Sequence, residues 1–389
     1  MGVWGTWHNC VDRVSAPRMR PIVLGRTCAV SPYRATLRAV RLVGPGYTPC
    51  MLGPHRYRGT LVLCAVALLC LSTGVGPRSV GGAEGYPLSP HGRVGVYLTS
   101  YAACDSDTLA GLYGARARGE LNAVVVNVKN MHGEITYASS VAAALRVGAV
   151  VARLDLRSFV RALHARGIYV IARQVLFYDP KLAAALGCEG DWVDPALPEV
   201  IDYNLRVAEE VAGYGVDELQ FDYVRYPDDK AIGVVFEERR RAVTAFVEQA
   251  ARLLSGRVHL SVDVFGRVLW PWNARGIDPI GQVLEDLAAV SDTVSPMVYP
   301  SHYSEPKYTQ DPYRAVFDGL ASGTQRTSTP LRPFLQVFDR GVPEHMPLRD
   351  YISAQIRAAQ DSDADGYLFW HPACDYEELY QVLGSVARP

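Results

Sequence analysis

"ELQFDYVRYP", Glu218 to Pro227, alternates apolar Leu219, Phe221 and Tyr223 with polar Gln220 and Asp222. That is the two-residue period of a strand. If Leu219 and Phe221 face outer helices, Gln220 and Asp222 point the other way, into an interior that ordinarily takes apolar side chains. The run then adds Arg225 and stops at Pro227.

Seven more runs share this form. They are "RVGVYLTS" (93–100), "LNAVVVNVK" (121–129), "GIYVIARQV" (167–175), "VHLSVDVFG" (258–266), "DTVSPMVYP" (292–300), "RPFLQVFD" (332–339) and "DGYLFWHP" (365–372). Amphipathic segments such as "LDLRSFVRALHARG" and "FEERRRAVTAFVEQAARLL" lie between them. Several begin with Asp or Pro and end at Gly, as capped helices do. Gly167, Gly215 and Gly366 each stand between a helix and the next strand. Eight β-then-α units in about 300 residues predict an α/β fold, a (β/α)8 TIM barrel over residues 90–389. A doubly wound open sheet is the competitor, but it usually carries a Gly-rich phosphate turn after its first strand. Here that place reads "TSYAACDSD", and neither GxGxxG nor GxxxxGK[ST] follows any run. The longest excursion is Asn130–Arg153, between the second strand and its helix.

In such a barrel the substrate site is built at the C-terminal strand ends. Polar residues gather late in the runs: Asn127 and Lys129, Arg173 and Gln174, Gln220, Asp222 and Arg225, Ser261 and Asp263, Ser295, Tyr299 and His302, Gln336 and Asp339, Trp370 and His371. Parity places Asn127, Lys129, Gln220, Asp222, Ser261 and Asp263 on the barrel axis. Neighbouring strands lie about 4.8 Å apart. Asp222 and Asp263 are then expected to approach to roughly 5–5.5 Å, the carboxyl separation of retaining glycoside hydrolysis; a gap of roughly 6.5–9.5 Å indicates inversion. Asp222 is the expected nucleophile and Asp263 the acid/base. Lys129, Arg173, Gln220, Arg225, Tyr299, His302, Gln336 and Trp370 are expected to bind substrate or tune those acids. The duller readings are an Asp222–Arg225 or Asp222–Lys129 ion pair, Asp263 accepting backbone hydrogen bonds, and Tyr299, Trp370 and Trp272 serving as core or rim aromatics. "DSDAD" (361–365) lacks the Gly and the distal Glu of a calcium loop. With no CxxC or His cluster either, no metal or cofactor is expected.

Of 389 residues, 49% are hydrophobic and the net charge is −1. Residues 1–83 hold ten Arg and one acid, Asp12, leaving 29 basic against 39 acidic groups, a net of −10, in 84–389. An acidic body argues against nucleic acid, whose phosphates need basic partners. From Met51, a basic segment, an apolar run (Leu61–Leu71) and small residues follow in the order of a secretory signal. The apolar run is shorter than the ~20 residues of a membrane span. Residues 51–83 are therefore expected to be a signal peptide or a membrane anchor, with Cys70 a lipidation alternative. Residues 1–50 are expected to precede the true start at Met51 or to form a disordered basic arm. The body is expected to be exported, to the periplasm or cell envelope, with membrane attachment only through this head. Five of eight cysteines lie there; Cys104, Cys188 and Cys374 are widely spaced, with room for one bridge.

"GVYLTSYAA", "LNAVVVNVKNMHGEITY", "WVDP", "VIDYNLRVAEEVAGYGVDELQFDYVRYP", "LSVDVFG" and "VSPMVYPSHY" together resemble a bacterial family of glycoside hydrolases first grouped as a domain of unknown function. The resemblance covers nearly all of residues 93–372; "QFDYVRYP" and "SPMVYPSHY" are its most specific parts. It implies a TIM barrel distantly related to the alpha-amylase type, with a nucleophilic Asp ending the fourth strand and an acid/base ending the fifth. Asp222 and Asp263 fall there. Two departures stand out: amylase-type enzymes carry Glu where this chain has Asp263, and the family often carries Asp in the second strand where this chain has Asn127 and Asn130. The expected partner is a poly- or oligosaccharide. A non-catalytic carbohydrate-binding barrel and a cell-envelope structural protein are the alternatives.

Overall fold

Each of the eight runs is a strand in the computed structural model, which describes residues 88–228, 236–273 and 278–385. The expected segments at 1–50 and 51–83 lie outside these residues. In chain order the strands are β1 (Arg93–Leu98), β2 (Ala123–Lys129), β3 (Ile135–Tyr137), β4 (Val150–Leu154), β5 (Tyr169–Val175), β6 (Glu218–Asp222), β7 (His259–Phe265), β8 (Thr293–Met297), β9 (Phe334–Gln336) and β10 (Gly366–Trp370). The helices are α1 (Ser106–Ala117), α2 (Ala142–Arg146), α3 (Leu156–His164), α4 (Pro180–Leu186), α5 (Pro198–Ala212), α6 (Phe236–Leu254), α7 (Leu284–Ala289), α8 (Pro306–Thr309), α9 (Pro312–Thr324), α10 (Leu348–Gln360) and α11 (Glu377–Leu383). The strands β1, β2, β5, β6, β7, β8, β9 and β10 pair parallel in that order, and β10 returns to β1. The result is a closed (β/α)8 barrel, as the rhythm of the sequence predicts.

Local chemistry explains the units. Asp105, Asp155, Asp179 and Asp311 each accept a backbone N–H at the start of α1, α3, α4 and α9. These bonds satisfy donors that a helix start leaves open. Gly366 adopts φ +81° where the chain turns into β10, and an added Cβ would meet Arg93 O at 2.1 Å. Neither the backbone conformation nor the space admits another residue.

The excursion Asn130–Arg153 is not a plain loop. It holds β3, antiparallel to β2 at Lys129↔Ile135, and β4, parallel to β3. Glu210 on α5 clamps it, accepting from Tyr137 Oη (2.8 Å), Ser139 Oγ (2.5 Å), Ser140 N (2.7 Å) and Ser140 Oγ (2.6 Å). Burial opposes its ionisation, but the bonds from Ser139, Ser140 and Tyr137 outweigh it and hold the carboxyl below its usual range. The strands are too short for periodicity to announce them.

The lower half of the barrel interior is ionic. Arg332 and Glu218 are fully buried, and Arg332 Nη2 donates to both carboxylate oxygens at 3.1 and 2.9 Å. Tyr169 Oη (3.0 Å) and Ser261 Oγ also donate to Glu218. Cys104, Cys188 and Cys374 are free thiols, so the bridge left open above does not form.

Removing one member of a buried pair strands the other charge, at a cost of about 3–5 kcal/mol. Arg332→Ala is expected to lower unfolding free energy by about that amount, read from denaturant midpoints. Gly366→Ala is expected to cost about 1–3 kcal/mol from backbone strain alone, with further loss from the clash; an unchanged melting curve would contradict this account of the β10 turn.

Candidate active site

The strands β5, β6 and β7 carry Arg173, Asp222 and Asp263 to one point at their C-terminal ends. Arg173 Nε donates to Asp222 Oδ2 at 3.0 Å, and Nη2 donates to the same oxygen. The same Nε lies 4.0 Å from Asp263 Oδ2. With both oxygens reached from one nitrogen, the two carboxylates stand no more than about 7 Å apart. The register explains the meeting: Gln220↔Ser261 and Phe221↔Val262 are partners on β6 and β7, so Asp222 and Asp263 come next. Gln220, fully buried, donates to Ser295 Oγ on β8 at 3.2 Å, across the interior from its own strand.

Arg173 has a second anchor. Its Nη1 donates to Asn127 Oδ1 at 2.5 Å, and Asn127 Nδ2 donates to Tyr97 Oη at 2.6 Å. Asp222 Oδ1 accepts the backbone N–H of Tyr223 at 2.5 Å, and Tyr223 takes φ +52° to deliver it. A left-handed conformation at an aromatic residue is unusual and costs energy.

The environments of the two acids differ. Asp222 is held by a guanidinium and a backbone N–H. Asp263 is 2% exposed, and its Oδ1 is buried with no hydrogen-bond partner. Burial, and next the charge of Asp222, push the Asp263 carboxyl well above its ordinary range, with Arg173 opposing. One carboxylate is thus paired while its neighbour is held towards the protonated form, the pattern by which environment assigns acid and base roles.

Two groups of aromatic rings accompany the pair. Tyr299 stacks on Trp370, with ring centroids 5.7 Å apart, and Phe338 and His302 meet Tyr299 edge-on at 6.0 and 5.0 Å. Burial, then Asp263 and Asp222, push the Tyr299 phenol upward, so it remains a donor. Burial pulls His302 down to about 4, so it is neutral at neutral pH. Tyr178, Trp192 and Tyr223 form a second group, within 5.2–5.9 Å of one another.

Several expectations need correction. Lys129 does not face the axis. A bulge between Asn127 and Lys129 reverses its side chain. Its Nζ lies 2.8 Å from buried Asp179 and donates to Val175 O, Leu176 O and Asn204 Oδ1. Burial pulls the Lys129 amine downward while Asp179 opposes. Gln336 is consumed internally: Oε1 accepts from Ser301 and Tyr351, and Nε2 donates to Phe338 O and Arg340 O. Asp222 takes Arg173, not Lys129 or Arg225, as its cation. His371 Nδ1 accepts from Ala373 N and Asp375 N, a turn role. Among the described residues no group of three His, Cys, Asp or Glu side chains is disposed to hold a metal ion.

Sequence reasoning passed over Tyr97, Tyr178, Trp192, Tyr223 and Phe265. Tyr97 stands late in the first run, between apolar Val96 and Leu98 that hide it. Trp192 and Tyr178 sit in the long β5–α5 connection, with no period to mark them.

The profile of the family described as "Putative glycosyl hydrolase domain" matches residues 95–376. The PgaB (BpsB) glycoside hydrolase domain from Bordetella bronchiseptica superposes with TM-score 0.56 and 16% identity, over 76% of this chain and 99% of that one. The endo-β-1,4-mannanase from Thermotoga petrophila gives 0.52 and 11%, over 76% and 77%. The spore cortex-lytic enzyme SleL from Bacillus cereus gives 0.50 and 9%, over 75% and 73%. At such identities the likeness is one of fold. A search of curated proteins gave no match.

A carboxyl whose folded-state pKa is raised favours folding below the unfolded pKa, and that contribution is lost as pH rises through the folded value. Asp263→Asn is therefore expected to raise the melting temperature at neutral pH and to leave it nearly unchanged below about pH 3.9, the unperturbed Asp value. Equal shifts at both pH values would contradict the assignment of Asp263 as the strained acid.

Proposed function

This chain belongs to the glycosyl hydrolase domain family whose profile spans residues 95–376, and we propose that it cleaves a poly- or oligosaccharide by a retaining, two-carboxylate mechanism. The observation that carries this reading is the Asp222–Arg173–Asp263 arrangement, one carboxylate paired and its neighbour held towards the neutral form within about 7 Å.

In the first step an Asp222 oxygen attacks the anomeric carbon. The glycosidic C–O bond breaks, and Asp263 gives its proton to the departing oxygen. The ionised Asp263 then takes a proton from water, whose oxygen attacks the same carbon and releases Asp222. Arg173 orients Asp222 before attack through its two hydrogen bonds, and afterwards faces the newly charged Asp263. Tyr299 and Trp370 offer an aromatic wall suited to the apolar CH face of a pyranose. An upper limit of about 7 Å overlaps the range of roughly 5–5.5 Å for retention and only the low end of that for inversion.

The order of segments from Met51 supports a further part of the reading, that the barrel acts outside the cytoplasm. Among the described residues no helix is long and apolar enough to cross a membrane.

Asp222→Asn and Asp263→Asn are each expected to lower kcat at least about a hundredfold while glycan binding persists. With Asp222→Ala, added azide is expected to restore turnover by forming a glycosyl azide of inverted anomeric configuration. Turnover unaffected by either Asn variant would overturn the mechanism. Glycan binding with no turnover by the unaltered protein would favour the non-catalytic barrel.

A further inference from the structure

Arg225 is 93% removed from solvent, at 7% exposure, yet it has no carboxylate of its own among the described residues. The described acids near it are engaged elsewhere. Asp222 is held by Arg173 at 3.0 Å. Asp228 and Asp278 are held by Arg267, at 2.9 Å and at 2.8 and 3.0 Å. Among the described residues Arg225 makes one hydrogen bond, from Nη1 to Tyr226 O at 2.9 Å. Three rings wall its guanidinium: Phe265 at 4.5 Å, Trp192 at 4.7 Å and Tyr223 at 5.2 Å. A guanidinium has five N–H donors in a planar fork matched to a carboxylate, and here most of that fork has no acceptor among the described residues.

The place of this cage matters as much as its chemistry. Tyr223 follows Asp222 directly, and its left-handed backbone swings its ring into the cage. Phe265 stands two residues beyond Asp263, on the same side of β7. Trp192 comes from the connection after β5 and is only partly buried. The cage therefore adjoins both acids, where the sugar unit next to the cleaved bond would lie. Aromatic rings favour a pyranose face, and the desolvated cation favours an anionic substituent on it. A structural role alone leaves unexplained why a nearly buried cation pairs with no carboxylate among the described residues.

We propose that Arg225, with Trp192, Tyr223 and Phe265, forms a subsite for an anionic sugar unit, one bearing a carboxylate or a sulfate ester, next to the scissile bond. The proposal rests on the carbohydrate reading above and narrows it to acidic glycans.

Binding separates the two claims. Equilibrium titrations would use the full chain carrying Asp263→Asn, which preserves the Asp222 charge while slowing turnover. The probes are oligosaccharides of glucuronate, galacturonate or mannuronate, the same oligosaccharides after reduction of each carboxyl to a neutral hydroxymethyl group, and sulfated neutral oligosaccharides. At least one acidic probe is expected to bind about tenfold or more tightly than its neutral form, with an affinity that falls as salt rises. Preference for the uronates or for the sulfated set identifies the anion. Adding Arg225→Gln is expected to erase the preference, and Arg225→Lys to retain part of it, with melting curves checking that each variant folds. The comparison of acidic with reduced probes needs no change at Arg225, so it stands even if Arg225→Gln fails to fold. Acidic and neutral probes binding equally, or no acidic probe binding, would overturn the subsite. Acidic probes that bind through Arg225 but are not cleaved by the unaltered chain would sink the hydrolase reading and leave the subsite intact.

Discussion

Two acids share a nearly dry space at the barrel mouth, and Arg173 is the cation that lies between them. Its planar fork reaches Asp222 with two nitrogens and Asn127 with a third. Asn127 in turn holds the hydroxyl of Tyr97. The linked groups come from β1, β2, β5 and β6, with Asp263 of β7 at the margin, so five adjacent strands meet through one side chain. These strands are consecutive neighbours in the barrel, which β10 closes by pairing with β1 on its other side. The chemistry is asymmetric: Arg173 touches Asp222 directly and approaches Asp263 only to 4.0 Å. A guanidinium equidistant from both would hold both ionised, and no proton donor would remain.

How far the sequence revealed this depended on how local each determinant was. The eight barrel strands were legible because each is an apolar run bounded by helical periodicity. Asp222 and Asp263 were placed inward because β6 and β7 keep an unbroken two-residue period up to those residues. The same rule failed at Lys129, since one bulge reverses parity and nothing in "VVVNVK" marks it. Gln336 misled for another reason. It lies late in its strand, as a substrate contact would, but Gln355 and Tyr351 of α10 and the loop at Ser301 claim its neighbourhood, and those contacts are distant in sequence. The strands β3 and β4 escaped notice because they are too short to show a period, and β3 is held from Glu210 on α5, distant in sequence.

Below the acids the barrel is unlike an apolar core. Glu218, Arg332, Tyr169 and Ser261 form a buried polar layer, and Gln220 and Ser295 form another above it. Buried polar groups are costly unless satisfied, and satisfied ones demand particular geometry. The layers tie β5, β6, β7, β8 and the segment before β9 together at fixed heights. Asp222 and Asp263 sit on strands already locked in register beneath them.

The short hairpin-like extension after β2 leaves β4 at the margin of the sheet. A margin of that kind is an invitation to pair with a stranger, since its amides and carbonyls have no neighbour. Midway along β4, Ala152 adopts φ +43°, a twist out of extended geometry that breaks the row of amides and carbonyls into fragments. The enzyme-like barrel thus carries its added strands without offering a continuous template for aggregation into fibres.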